Sequence, residues 1–571
     1  MSHQQVTASD GVRLSVRVSG AEDGPTVVLV HGYPDSGSMW DGVAAELGRR
    51  HRVVVYDVRG AGDSDKPRER AAYRLDQLAA DLKAVVDEVQ PNGKVHLLAH
   101  DWGSIQTWHA VTGDGLRGRI ASYTSISGPS LDHAGAWFRE QFKRPAGVPR
   151  ALRQLLHSYY ILLFQLPLVP ELGWRSGLVP ALIRRLDPAA GRVKIADAVH
   201  GLKLYRANMF TRRSRPAPRP AEVPVQVLAP VGDAFVTAPL QTEIARWVAD
   251  LRVRRLVGSH WIARSKPAVI AAATAELVEY AEGGQESRAL KRARVGGEPG
   301  RFADRLVVVT GGGSGIGRAT ALAFAAEGAD VVVTDIDSAA AAETAKLVRD
   351  KGVDAGEYTV DSSDAGAVEE FAARVRAEFG VPDVVVNNAG IGMSGPFLDT
   401  TPADWEKVVD VNLWGVIHGC RAFAPMMKDR AQGGQLVNLA SAAAYLPSKI
   451  LTAYSTTKAA VLALSIGLRA ELAADGIGVT AVCPGLVNTN ITSTTRFVGV
   501  AAGEQARRQQ AAAKLYARRG FGPEKVARDI LRAVERDRAI QPSTPEAKVA
   551  LVLSRLTPGL LRAAAKLDVT P

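Results

Sequence analysis

The chain lacks the residues that build metal clusters and disulfide frameworks. It has two cysteines in 571 residues, Cys420 and Cys483, and neither sits in a CxxC or histidine-rich setting. No metal site and no disulfide scaffold is expected, and a reducing cytoplasm fits this usage. Long hydrophobic runs are missing too. The greasiest stretch, residues 159–170, is broken by Gln165 and Pro167, and falls short of the roughly 20 apolar residues that cross a bilayer. Residues 1–10 are polar, without the apolar core of a secretory signal. Neither sign of charge dominates: 70 basic residues face 59 acidic ones, and the net of +11 is too modest for this length to mark a nucleic-acid binder. The expectation is a soluble cytoplasmic protein, with at most peripheral membrane contact.

What is present is globular composition, 46% apolar and 23% charged, in a chain long enough for two large domains. The clearest seam is 283–301, with five glycines, five Arg or Lys and no apolar periodicity, which predicts a flexible linker. Before it, Val/Leu-rich runs at 26–30, 53–56, 95–99, 120–127, 225–229 and 251–257 alternate with helical stretches. Such runs predict buried strands of a mostly parallel sheet. The alternation fails over 129–224, which reads as an inserted helical lid ending in the Pro/Arg segment 212–220. After the seam it restarts at 306–310, 330–334, 383–387, 435–439 and 478–482. The fold class is therefore α/β twice over, in unlike domains at 1–282 and 302–545. An amphipathic tail at 546–571 docks on the body or pairs subunits more readily than it lies on a membrane.

In the first domain, strand 95–99 runs into His100-Asp101-Trp102-Gly103-Ser104. A sharp strand–turn–helix with small residues two before and two after its centre, here Ala99 and Gly103, is a nucleophile elbow. Its centre is Asp101 rather than a hydroxyl. A carboxylate cannot usefully acylate, because the anhydride is unstable, but it can displace at a saturated carbon and form an alkyl ester. Epoxides or alkyl halides follow as substrates. The N–H groups of Tyr33, in His31-Gly32-Tyr33-Pro34, and of Trp102 are candidates for an oxyanion hole. Asp233 and His260, on loops after the last two strands, complete the order nucleophile, acid, histidine.

Residues 5–282 thus resemble an α/β-hydrolase of the epoxide hydrolase family, through HGYP (31–34), AHDWGS (99–104), Gly232-Asp233 and SHW (259–261). The resemblance implies two lid tyrosines that hold the epoxide oxygen. SYYILLFQLP (158–167) and LYRANM (204–209) place them at Tyr160 and Tyr205, with Tyr159 as the other candidate for the first. A phenol, with a pKa of about 10, is a sensible acid for an alkoxide leaving group.

In the second domain, strand 306–310 is followed by Gly311-Gly312-Gly313-Ser314-Gly315-Ile316-Gly317 and a helical stretch. Such a loop brings backbone close to a pyrophosphate at a helix N-terminus. Asp335 ends the next strand, eighteen residues past Gly317; a carboxylate there accepts from a ribose diol and repels a 2′-phosphate, favouring NAD over NADP. Tyr454 and Lys458, four apart, share a helix face, and Ser441 follows strand 435–439. Lysine can lower the tyrosine's pKa, the tyrosine can pass a proton to or from an alcohol oxygen, and the serine can orient that oxygen.

Residues 302–540 thereby resemble the short-chain dehydrogenase/reductase family. The resemblance implies a doubly wound, Rossmann-type parallel sheet, no metal, and homo-oligomers formed through this domain. It also implies site roles. Asp361 would contact adenine, and Asn388, Ala389 and Gly390 belong to the NNAG motif at the cofactor. Asn412 would join a proton relay, and Pro484, Gly485, Val487 and Thr489 would border the nicotinamide.

The order hydrolase then dehydrogenase resembles fused two-domain enzymes of mycobacteria and related actinobacteria, thought to act on lipids. It implies a bifunctional enzyme that hydrolyses a lipidic epoxide to a vicinal diol and oxidises or reduces a secondary alcohol or ketone. Two other readings are a haloalkane dehalogenase and a hydrolase fold that only binds a ligand, either one fused to an active dehydrogenase.

Overall fold

A computed structural model describes residues 2–210, 217–296, 300–446, 448–559 and 563. The chain divides into two compact units, Met1–Gly297 and Glu298–Pro571.

The first unit is built on eight strands: β1 (Ser2–Thr7), β2 (Arg13–Gly20), β3 (Thr26–Val30), β4 (Arg52–Tyr56), β5 (Val95–His100), β6 (Ile120–Ile126), β7 (Val225–Pro230) and β8 (Leu251–Leu256). Their order across the sheet is β1-β2-β4-β3-β5-β6-β7-β8. β2 runs antiparallel to β1 and β4, and the remaining pairs are parallel. The central strands are apolar on both faces because helices cover both; β3 is buried along its whole length. Between β6 and β7 the chain leaves the sheet for a helical insert running from Leu131 to Asn208. The expected Pro/Arg ending of this insert lies partly outside the described residues, at 211–216.

The expected flexible linker at 283–301 needs correction. A short helix, Arg288–Ala293, forms inside it, with Ser287 accepting the N–H of Leu290. Leu290 and Ala293 are buried, and Arg294 pairs with Arg252 of β8. Two apolar residues three apart are enough to seat one helical turn on an edge strand, but too few to show a periodicity.

The second unit contains a seven-stranded, wholly parallel sheet. Its strands are β9 (Leu306–Thr310), β10 (Asp330–Asp335), β11 (Ala355–Thr359), β12 (Val384–Asn387), β14 (Gly434–Leu439), β15 (Ile477–Cys483) and β17 (Ile540–Pro542), in the order β11-β10-β9-β12-β14-β15-β17. A separate two-stranded ribbon joins β13 (Met393–Ser394) to β16 (Arg496–Phe497). Apolar clusters fill both faces of the large sheet. Strand order reverses between β9 and β12, and crevices at such switch points take ligands at the strands' carboxyl ends. The segment expected to begin the C-terminal tail starts within a helix, Pro545–Leu556, that buries Ala547 and Ala550. Residues 560–562 and 564–571 lie outside the described residues.

Candidate active sites

In the first unit, β5 delivers Asp101 at φ +51°, ψ −123° before the helix Trp102–Val111. A non-glycine residue held there costs of order 1–3 kcal/mol, and such strain concentrates at functional positions. The turn is tight enough to require Gly103, where a Cβ would lie 2.3 Å from the Val30 carbonyl oxygen. Asp101 makes no side-chain cap to its helix. Its carboxylate instead accepts the N–H of Tyr33 at 2.8 Å, and the neighbouring Trp102 N–H also favours its charged form. His31 sets the Tyr33 loop: one ring nitrogen faces the Gly32 carbonyl oxygen at 2.9 Å, and Nε2 accepts the Val58 N–H.

His260 Nε2 lies 3.8 Å from Asp101 Oδ2, and its Nδ1 lies 3.1 Å from Asp233 Oδ2. Asp233 also accepts the N–H groups of Phe235 and Val236. Burial raises the Asp101 carboxyl to about 6 against the pull of His260. Burial would depress His260, but the carboxylates of Asp233, Asp101 and Asp187 outweigh it and hold the imidazole up at about 9. Asp233 stays below its ordinary value because His260 and the main-chain donors overcome its desolvation.

Tyr160 and Tyr205, from the insert, come together edge-on with ring centroids 6.0 Å apart. Burial raises both phenols, and the nearby Asp101 charge adds to it. Tyr159, the other candidate, is 51% exposed and packs edge-on against Tyr160 at 6.4 Å. Phe164 and Trp174 pack edge-on against Tyr33, and Phe235 against His260. The walls around the carboxylate are therefore largely aromatic.

Two further residues near this centre were given no role by the sequence. Asp187, at the end of the insert helix Leu178–Leu186, accepts from the Ser259 hydroxyl at 2.8 Å and the Trp261 N–H at 3.2 Å, one on each side of His260. His100 donates through Nε2 to the His260 carbonyl oxygen, and burial depresses it to about 3, which keeps it neutral.

In the second unit, the loop after β9 carries Gly311 at φ +60°, where a Cβ would stand 2.8 Å from Ala389 Cα. Ser314 precedes the helix Gly315–Ala325 without capping it through its side chain, and half-buried Ile316 and buried Gly317 lie in its first turn. Asp335 meets the loop, accepting the Gly313 N–H at 2.9 Å and the Asp337 N–H at 3.1 Å. Asn388 ties β12 to this loop through the carbonyl oxygens of Thr310 and Gly311, and the Ala389 N–H reaches the Thr310 hydroxyl. Asp361 accepts from Ser363. A glycine cradle closed to any side chain, an open helix N-terminus and a carboxylate at the neighbouring strand end fit a dinucleotide.

Beyond the cradle, burial raises the Tyr454 phenol to about 12, with Ser441 pulling it down, so the expected lowering by Lys458, whose Nζ stands 5.8 Å from the ring centroid, does not appear here. Lys458 Nζ donates to the Leu439 carbonyl oxygen at 2.8 Å, and burial lowers the amine to about 8. Asn412 is fully buried in a π-turn at Asp410–Trp414, where its amide both accepts from and donates to the main chain of Ile391. It stands close to Lys458, with Gly390 between: a Cβ on that glycine would be 3.1 Å from Asn412 Oδ1 and 3.4 Å from Lys458 Nζ. Pro484, whose carbonyl oxygen accepts the Ala442 N–H, opens the loop carrying Gly485, Val487 and Thr489, and Thr489 packs by Gly315. Glu546 was not foreseen here: it accepts the Leu486 N–H and pairs with Arg519, so the C-terminal helix braces this loop.

Comparison with known proteins agrees with this division. A family model for the alpha/beta hydrolase fold matches residues 25–159, and one for short chain dehydrogenases matches residues 305–497. A Mycobacterium tuberculosis (strain H37Rv) protein described as "Probable oxidoreductase EphD" is 45% identical over 583 residues, covering 99% of this chain and 98% of its own. Galactitol 2-dehydrogenase of Agrobacterium fabrum is 35% identical over 188 residues, 33% of this chain and 72% of that one. Among solved structures, a short chain dehydrogenase/reductase from Burkholderia phymatum in complex with NAD is 29% identical, with a TM-score of 0.41, over 47% of this chain and 98% of its own.

Proposed function

Because the chain belongs to the family of the mycobacterial oxidoreductase EphD, an α/β-hydrolase domain followed by a short-chain dehydrogenase domain, we propose that it hydrolyses a lipidic epoxide and oxidises or reduces a secondary alcohol or ketone with NAD(H).

One observation carries the hydrolytic half: a carboxylate, Asp101, at the strained turn, accepting the Tyr33 N–H and facing a carboxylate-backed histidine, with two packed lid tyrosines nearby. Tyr160 and Tyr205 hold the epoxide oxygen and protonate it as the ring opens. Asp101 attacks the ring carbon from the opposite side, giving a hydroxyalkyl ester. His260 takes a proton from water, and the resulting hydroxide attacks the ester carbonyl. The charge that develops on the carbonyl oxygen falls to the N–H groups of Tyr33 and Trp102. Collapse expels the alkoxide, which takes the imidazolium proton to give the vicinal diol, and the Asp101 carboxyl proton returns to the tyrosine, restoring the carboxylate. A halide leaving group needs no proton, so the tyrosine pair favours an epoxide. The aromatic walls suit an apolar chain.

In the redox half, the short-chain dehydrogenase match supports a nicotinamide cofactor, which supplies the hydride acceptor or donor. The residues at Gly311–Gly317, Asp335, Asp361, Asn388 and Thr489 would hold it. Tyr454 takes the alcohol proton or returns it, Ser441 orients the same oxygen, and Lys458 offers its charge to the phenolate. The preference for NAD rests on the Asp335 carboxylate at the ribose end of the loop.

The deciding experiment incubates purified protein with a panel of epoxy fatty acids, with and without NAD, and reads products by mass spectrometry. Diol without NAD, and hydroxyketone with it, are expected. Asp101→Ala should abolish diol formation; undiminished turnover in that variant would overturn the hydrolytic reading.

A further inference from the structure

The helical insert of the first unit has two unlike faces. Its inward residues, Tyr160, Phe164 and Trp174, pack toward Tyr33 and Tyr205. Its outward residues are leucines. Along the helix Val148–His157 the buried positions are Ala151 and Gln154, while Leu152 and Leu156 are exposed, Leu156 by 74%. In the next turn, Tyr160–Gln165, Phe164 is buried and Leu162 is exposed. Leu168 is 72% exposed; Leu172 follows on Val169–Arg175, a helix whose buried residues are Pro170 and Trp174. The helix Leu178–Leu186 has no buried residue at all, and Leu178 stands in solvent. The helices Tyr160–Gln165, Val169–Arg175 and Leu178–Leu186 pack on one another in succession, so the leucines from Leu162 onward share one outer surface, and Leu152 and Leu156 lead into it along the chain. Monomeric soluble proteins seldom leave so continuous an apolar face uncovered.

The charge on this surface identifies its occupant. Residues 148–186 carry five arginines, no lysine and one acid, Glu171, whose carboxylate is engaged by Arg206. Arg153, Arg175, Arg184 and Arg185 are exposed among the leucines. A second copy docked through the same face would bring an arginine belt against itself. Anionic headgroups would accept that belt while the leucines enter the acyl boundary, the arrangement of an interfacial amphipathic helix. The long arginine stems add apolar contact and keep their charge in the headgroup layer. Among the described residues no helix is long and apolar enough to cross a membrane, so the contact is with its surface.

We propose that the outer face of the insert, residues 148–186, docks the protein on an anionic lipid surface. The proposal is independent of the reaction assigned to Asp101.

The test uses the full chain and vesicles of pure phosphatidylcholine or of phosphatidylcholine with phosphatidylglycerol. Cosedimentation should occur with the anionic vesicles and weaken with salt. The triple variant Leu156→Ser/Leu162→Ser/Leu172→Ser should bind about tenfold or more weakly, given ~0.8 kcal/mol for each buried methylene. Arg184→Gln/Arg185→Gln should lose most of the salt dependence. Val549→Ser/Val552→Ser, on exposed positions of the C-terminal helix, should bind like the parent chain. A thermal melt checks that each variant folds. A second measurement changes one position of the face and leaves the rest intact: Cys420 and Cys483 are both buried, so Leu162→Cys takes an environment-sensitive dye selectively. Its emission should shift blue on anionic vesicles. No binding, binding undiminished in the folded triple variant, or an unshifted dye would overturn the proposal. So would a parent dimer that the triple variant dissociates, which would mark the face as a contact between copies.

Discussion

The Nε2 of His260 stands 3.8 Å from Oδ2 of Asp101, just beyond hydrogen-bonding distance, so charge rather than a shared proton couples the proposed base to the proposed nucleophile. The two therefore separate in function. His260→Gln should leave Asp101 able to open the ring but remove the base that discharges the ester. Steady-state diol production should fall by about 10²–10⁴-fold, while intact mass shows the protein plus one substrate. Loss of turnover with no adduct would mean that His260 is needed for the first step as well.

The same coupling gives the pH dependence a direction. Only ionised Asp101 attacks, and burial has raised it to about 6. Single-turnover ester formation should therefore fall as pH drops through about 6. His260 is held near 9 partly by the Asp101 charge. Esterification removes that charge, so the imidazole's pKa falls and it becomes the neutral base that the second step requires. Asp101→Asn imitates the uncharged state. Nitrogen NMR of its imidazole should give a His260 pKa below that of the parent protein; an unchanged value would show that the 3.8 Å contact carries no energy.

Asp187 supports the loop on both sides of the base, through Ser259 and Trp261. Hydrogen bonds to a charged group contribute about 1.5–3 kcal/mol. Asp187→Ala should lower the unfolding free energy by about that much and slow diol release through misplacement of His260. Asp187→Asn can still accept from one partner and should recover most of the stability. It should not restore the His260 pKa, because its charge is gone. The measurements are denaturant melts together with an NMR titration. Equal pKa values in Asp187→Asn and the parent would confine Asp187 to a structural role.

These relationships differ in how far the sequence shows them. The central strands are visible because helices on both faces require nearly unbroken Val and Leu, as in β3 and β9. The turn at Asp101 and the glycine loop are visible because both depend on short-range chemistry, small residues where backbones touch. β1 was missed because it buries only Val6, and β11 because its alternating Ala355–Thr359 lies at a sheet edge. Asp187 meets Ser259 across 72 residues, a distance over which a single sequence carries no pairing signal. The leucines of the insert show helical character, but periodicity cannot report whether an apolar face will be covered.

Asp335 shapes its loop by hydrogen bonding and, in the proposed function, selects NAD by charge, and the two roles can be separated. Its oxygens accept the N–H groups of Gly313 and Asp337, and its position at the end of β10 puts a negative charge where a 2′-phosphate would sit. Two like charges about 4 Å apart near a protein surface repel by a few kcal/mol at most. Asp335→Ser should therefore raise the ratio of kcat/KM for NADP over NAD by about 10–100-fold, mainly through a lower KM for NADP. Asp335→Asn keeps an acceptor for the Gly313 N–H without the charge. If repulsion governs the choice, the two variants should gain NADP use alike, and Asn should retain more NAD activity than Ser. If only the serine variant changes, the loop's anchoring governs the choice rather than its charge. An unchanged ratio in both would remove Asp335 from cofactor selection.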